Sequence, residues 1–293
     1  MAVRTLQAEP VLLAGAELAE GPRWDARTQR LLWVDILAGA VHAFDPVSGR
    51  DVRRDLGRHV GAVAPYGEDG LVAAVREGFV RLNADGSEQV LAPVLAEHPG
   101  LRFNDGRADR AGRFWADTLS YRMEPGRAAL FRLDGAGCTE VVDGVGLGNG
   151  LDWSPDDRTF YFVDTLAQTV DAFDFDLDTG ALARRRRFLD IDPGLGSPDG
   201  LTVDADGGVW LALYGGGQVH RYTPDGVLDT IVAVPAATQT TSVGFGGPGL
   251  DVLFVTTARE HLDAAARAAQ TNAGGILAVR PGTVGQPTAS YAP

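Results

Sequence analysis

"NGLDWSPDDRTFYFVDTLAQTVDAFDFDLDTG", residues 149–180, reads as a small polar pair, a short apolar run, an Asp-rich turn, a second run rich in aromatics, a polar turn and a third run. Runs this short, bounded by Asp, Gly and Pro, are strands rather than helices. The same grammar recurs in both directions along the chain. "EGPRWDARTQRLLWVDILAGAVHAFDPVSGR" opens at Glu20, "VGAVAPYGEDGLVAAVREGFVRLNADG" at Val60 and "DGRADRAGRFWADTLSYRMEPGRAALFRLDGAG" at Asp105. "DGLTVDADGGVWLALYGGGQVHRYTPDG" opens at Asp199 and "TSVGFGGPGLDVLFVTTARE" at Thr241. Successive openings lie 40, 45, 44, 50 and 42 residues apart, the size of a propeller blade.

A single short antiparallel sheet has two apolar faces and can cover neither alone, so such units stack around an axis. Trp33, Trp115, Phe162, Trp210 and Phe254 recur 10 to 13 residues after their openings and read as wedges between neighbouring sheets. The 38 glycines suit a fold made of tight turns. The expectation is one domain over 1–293: an all-β, six-bladed β-propeller with four-stranded antiparallel blades. One short helical insertion is expected near 258–272, where "AREHLDAAARAAQTNAGG" is Ala-rich and ends in Gly-Gly.

Composition narrows the function. Twenty-six Lys+Arg against 39 Asp+Glu give a formal charge of −13, which repels phosphate backbones and anionic lipid, so no nucleic-acid or membrane partner is expected. The basic run Arg184 to Arg187 reads as the solvated side of an outer strand. A lone cysteine, Cys138, can form no internal disulfide and reads as inert. The N-terminal apolar stretch is interrupted by Glu9, Pro10 and Glu17 and lacks a signal-peptide pattern, so a cytoplasmic protein is expected. The five histidines fall at unlike places in the repeat, and "GxSxG" is absent, so neither a zinc set nor a serine nucleophile is indicated. "LYGGGQ", 213–218, lacks the Lys-Ser/Thr of a phosphate loop and reads as a hairpin bend.

Register supplies the site. The first strand of every blade lines the central channel, so the equivalent positions Glu20, Val60, Asp105, Asn149, Asp199 and Thr241 are expected to converge at one mouth. Taken alone, the Gly-flanked Asn149 is a turn residue. Beside crowded carboxylates, its carbonyl oxygen becomes a ligand for the cation that neutralises them. Oxygen donors without His or Cys point to a hard divalent ion, Ca²⁺ first, with Mg²⁺, Mn²⁺, Fe²⁺ or Zn²⁺ as alternatives.

"EGPRWD", "LRFNDGRAD", "GNGLDWSPD" and "SPDGLTVDADGGVW" resemble, in order and spacing, the motifs of the senescence marker protein/regucalcin, gluconolactonase and luciferin-regenerating enzyme family. The resemblance implies a six-bladed propeller with one divalent cation held by Glu20, Asn149 and Asp199. It also implies substrate contacts from Arg102 and Asn104, for which the alternatives are an ion pair of Arg102 with Asp105 or Asp109 and a turn cap by Asn104. Asp105 is a candidate acceptor that orients the ligands. The activity implied is metal-dependent hydrolysis of a sugar lactone to the aldonic acid, Asp199 serving as both ligand and general base. Two alternatives share the metal: phosphotriester or luciferin-type hydrolysis, and a non-catalytic calcium-binding propeller. One departure bears on the substrate. The family has a Gly-Thr segment and then a glutamate near the sugar, whereas this chain has Asp117-Thr118 and then Tyr121-Arg122, here expected in the pocket wall with Asp117. A monomer or weak homo-oligomer is expected; the sequence does not fix how the ring closes, and "VRTLQAEPVLLAG" is a candidate to add a strand to the sixth blade, as members of that family resembling this chain do.

Overall fold

A computed structural model describes residues 2–293. Six sheets are present, each running outward from an innermost strand. The innermost strands are Ala19–Asp25, Val60–Tyr66, Leu101–Ala108, Gly148–Trp153, Ser197–Val203 and Thr240–Gly246 for blades 1 to 6, and they pack on one another in a closed ring. The molecule is a six-bladed β-propeller, as the repeat spacing predicts.

The core is divided rather than central. Six apolar clusters occur, one in each seam between adjacent blades. Trp33, Trp115, Phe162, Trp210 and Phe254 are all buried in these seams. Each seam joins two blades, so the ring is cooperative only if it closes.

Closure comes from the N-terminal segment. Glu9–Leu12 pairs antiparallel with Ile276–Val279 and completes blade 6, as expected. An additional strand, Arg4–Gln7, pairs parallel with Leu228–Ala233 and gives blade 5 a fifth strand, which the repeat pattern does not announce. Ala8, fully buried between the two, donates its N–H to Ala233 O at 2.9 Å. The helical insertion is shorter than expected, Ala264–Ala269, capped by the Asp263 carboxylate accepting from Ala266 N. Residues 258–263 and 270–272 stay outside it, because Asp263 is extended and caps the helix at one end and Gln270 leaves helical geometry at the other.

The C-terminal segment forms a strap that the sequence reading did not anticipate. Gly285 N donates to Leu250 O, Gln286 Nε2 to Trp153 O, Tyr291 N to Pro65 O and Ala292 N to Gly112 O, each at 2.8 Å. It therefore passes from blade 6 beneath blades 4 and 3 to blade 2. Between it and the channel lies a cavity of about 40 Å³ lined by Arg23, Arg107, Asp152, Thr202 and Gln286, room for a water or two. Arg107 pairs there with Asp152.

The remaining sequence readings of the periphery are met by local chemistry. Arg184 to Arg187 lie on the outermost strand of blade 4, paired with Asp171, Asp174 and Asp190. Burial pushes the Cys138 thiol up to about 12, which leaves it a poor nucleophile. Among the described residues, no helix is long and apolar enough to cross a membrane.

Candidate functional site

Every innermost strand breaks register with its neighbour at the same height. The breaks fall between Glu20 and Arg23, Val60 and Ala62, Phe103 and Gly106, Gly148 and Leu151, Pro198 and Leu201, and Thr240 and Ser242. Such a bulge releases a residue from the pairing ladder and re-aims its side chain. Here it leaves Asn149 and Asp199 outside the ladder, while Glu20 keeps its pairing with Val34 at the edge of the break, and all three line one cavity. The glycines beside them allow the strands to close in: a Cβ on Gly150 would run into the backbone N of Leu201, and one on Gly200 into Ser242 Oγ. Asn149 is thus held between two glycines because the neighbouring blades touch the backbone on either side of it.

These three side chains floor a cavity of about 140 Å³, whose wall includes Arg102, Asn104, Leu119, Met123, Tyr214, Glu260 and His261. Glu20 is 5% exposed, Asn149 5% and Asp199 6%. Asn149 Nδ2 donates to Thr165 Oγ1 at 3.2 Å, and that hydroxyl donates to Pro198 O at 2.8 Å, which fixes the amide with its oxygen free. Asn149 Oδ1 and Asp199 Oδ1 are buried without any hydrogen-bond partner, and Glu20 Oε2 accepts only from Gly21 N at 2.9 Å.

Burial, with the nearby Asp105 charge, pushes the Glu20 carboxyl up to about 8. Burial, then the Glu20 charge, raises Asp199 well above the usual carboxylate range. Two buried carboxylates lining one cavity disfavour each other's ionisation, and a cation between them would reverse that. Unpartnered oxygens on two acids and one amide fit a hard divalent ion, which takes about six to eight oxygen ligands and would find places left for water or substrate. Among the described residues no cluster of three or more His, Cys, Asp or Glu occurs.

Only three of the six equivalent positions line this cavity. Val60 is apolar and fully buried. Thr241 Oγ1 is consumed by Ala19 O at 2.6 Å and Thr256 Oγ1 at 2.8 Å. In blade 3 it is Asn104 that reaches the cavity, while its neighbour Asp105 is engaged by Arg23 at 3.3 Å. Asp117 sits behind the wall, accepting from Asp105 N at 3.1 Å, with burial raising its carboxyl well above normal.

Arg102 makes no pair with Asp105 or Asp109; those carboxylates are held by Arg23 and Arg113. Its Nη1 donates to Asn104 Oδ1 at 2.8 Å, and Asn104 Nδ2 donates to Gly148 O at 2.9 Å. The two are one rigid unit spanning blades 3 and 4. Tyr121 and Arg122 are not among the cavity-lining residues. Tyr121 is 40% exposed and its hydroxyl meets His59 Nδ1 at 2.8 Å over a neighbouring depression. Their place in the wall is taken by Leu119 and Met123, the latter at φ 53. Tyr214 ends the second strand of blade 5, and Glu260 and His261 follow the second strand of blade 6; none of the three occupies the opening position by which the repeat marks the channel.

The family model for the SMP-30/Gluconolactonase/LRE-like region matches residues 18–259. Regucalcin of Bos taurus is 37% identical over 285 residues, 94% of each chain. YvrE of Bacillus subtilis (strain 168), named for an expected sugar lactone lactonase activity, is 34% identical over 281 residues, 94% of this chain and 96% of that one. The crystal structure of a calcium-binding protein, regucalcin from Agrobacterium tumefaciens, superposes with a TM-score of 0.95 at 29% identity over 100% of both chains. Motif order, propeller architecture and these matches agree, and the chain belongs to the SMP-30/gluconolactonase/LRE-like family.

Proposed function

We propose that the protein hydrolyses a sugar lactone in the cavity above Glu20, Asn149 and Asp199, with a divalent cation, calcium foremost, held by those three. The observation that carries this reading is the pair of buried, unpartnered acceptors, Asn149 Oδ1 and Asp199 Oδ1, lining the same cavity as the Arg102–Asn104 unit. Family membership and the sugar lactonase naming of YvrE support the choice of substrate. The calcium-binding description of the Agrobacterium protein supports the choice of ion.

A bound divalent ion supplies Lewis acidity for an ester carbonyl and lowers the pKa of water. Asp199 takes the proton from the water that attacks the lactone carbonyl carbon. It returns that proton to the ring oxygen as the C–O bond breaks, giving the open aldonic acid. Arg102 presents its fork of N–H donors to the substrate, while its bond to Asn104 fixes the direction of that fork; this is a positioning contribution. Glu20 and Asn149 hold the floor of the site and need not exchange protons.

The test is acid release from a panel of aldonolactones and one phosphotriester, with and without chelator. Turnover of at least one lactone, lost on chelation and restored by a divalent ion, is expected. Acid release at background on every lactone, or turnover of the phosphotriester alone, would contradict the reading.

A further inference from the structure

Glu260 is half-buried in the cavity wall, yet its carboxylate accepts no hydrogen bond; its only polar neighbour in the ion-pair range is His261 Nε2 at 3.9 Å. It arrives from blade 6, directly across the ring from the blade 3 strand carrying Arg102 and Asn104. The loop is anchored: Arg259 N and Glu260 N donate to Glu17 O at 3.0 and 2.9 Å, and Tyr214 Oη donates to Glu260 O at 3.4 Å. His261 adopts φ 61, a left-handed conformation that costs a non-glycine residue about 1 kcal/mol. That turn brings its Nδ1 within 3.1 Å of Tyr214 Oη. Strain is thus accepted at the point where two polar groups face the cavity.

The opposite wall supplies donors from Arg102, whose charge lies within the field of Glu260, together with the apolar side chains of Leu119 and Met123. A polyhydroxylated ring held by Arg102 has hydroxyl protons that require acceptors. The acceptors on the cavity floor are reserved for the cation. Glu260 is a carboxylate in that cavity whose oxygens accept no hydrogen bond from the protein.

We propose that Glu260, held in place by the left-handed turn at His261, is the specificity-determining contact of the site: its carboxylate accepts hydrogen bonds from the ring hydroxyls of a polyhydroxylated lactone seated against Arg102. This rests on the lactonase reading and names the substrate class within it. Lactones lacking ring hydroxyls bind without this contact and leave the carboxylate with no donor.

The experiment compares kcat/KM for D-glucono-δ-lactone and for unsubstituted δ-valerolactone, and measures D-glucono-δ-lactam binding by calorimetry on the cation-loaded protein. A hydrogen bond to a charged acceptor is worth enough that Glu260→Gln is expected to lower the glucono-to-valero ratio about tenfold or more, mainly through KM. The same variant is expected to weaken lactam binding by a similar factor. His261→Asn, which tolerates the left-handed turn, is expected to retain most of the ratio, and His261→Val to lose it. An unchanged ratio and unchanged lactam affinity in a Glu260→Gln protein that melts like the parent would overturn the proposal. If the parent hydrolyses neither lactone, the lactonase reading fails by itself, and the lactam titration still decides whether Glu260 binds the hydroxylated ring.

Discussion

Asp199→Asn is expected to lower kcat for lactone hydrolysis by about 10²–10⁴-fold, the range in which a lost general base is felt. The substitution is nearly isosteric and keeps one oxygen directed at the ion site, so occupancy by a divalent cation should persist at raised metal concentration. What it removes is the capacity to accept a proton from water and return it to the ring oxygen. KM should change little, because Arg102, Asn104 and the opposite wall are untouched. The decisive comparison is kcat at matched metal occupancy: full activity in a metal-loaded Asp199→Asn protein would show that the proton goes elsewhere. Glu20→Gln is the useful contrast, since Glu20 is assigned to the floor alone and its loss should act mainly through metal affinity.

Deletion of residues 2–12 is expected to have the largest effect on stability. That segment completes blade 6 through Glu9–Leu12 and adds Arg4–Gln7 to blade 5, with fully buried Ala8 between them and Leu6 and Leu12 packed against two of the seams. Its removal bares the edges of two sheets and opens the seams on both sides of blade 6. Burial of the apolar groups and the strand pairing together are worth on the order of 4 kcal/mol or more. At about 2–4 °C per kcal/mol for a chain of this size, the melting temperature should fall by about 10 °C or more. A truncated chain that melts with the parent would show that the ring closes by some other contact.

The repeat was legible because propeller architecture imposes the same demand six times: one apolar seam and one turn after each strand. That Glu20, Asn149 and Asp199 line one cavity was legible for the same reason, since they share a position within that repeat. The limit of this reading shows in blade 3. There the break in register spans Asn104 and Asp105, and a difference of one residue decides which side chain meets the cavity and which meets Arg23. Periodicity has no resolution at a bulge. The same limit applies to Tyr121 and Arg122: the residues of that segment that line the cavity are Leu119 and Met123, the latter in a left-handed turn. Glu260 and His261 lie where the sixth repeat runs into the helical insertion, and the C-terminal strap has no period at all. Such segments are placed by tertiary contacts with Glu17, Tyr214, Pro65 and Gly112, none of which leaves a local signature.

The convergence of three side chains on one ion can be tested directly by anomalous-difference diffraction from crystals soaked in Mn²⁺. A single strong peak on the propeller axis, within coordination distance of Glu20, Asn149 and Asp199 together, is the predicted result. An axis without a peak under saturating Mn²⁺, or a peak whose protein ligands exclude any of the three, would contradict it.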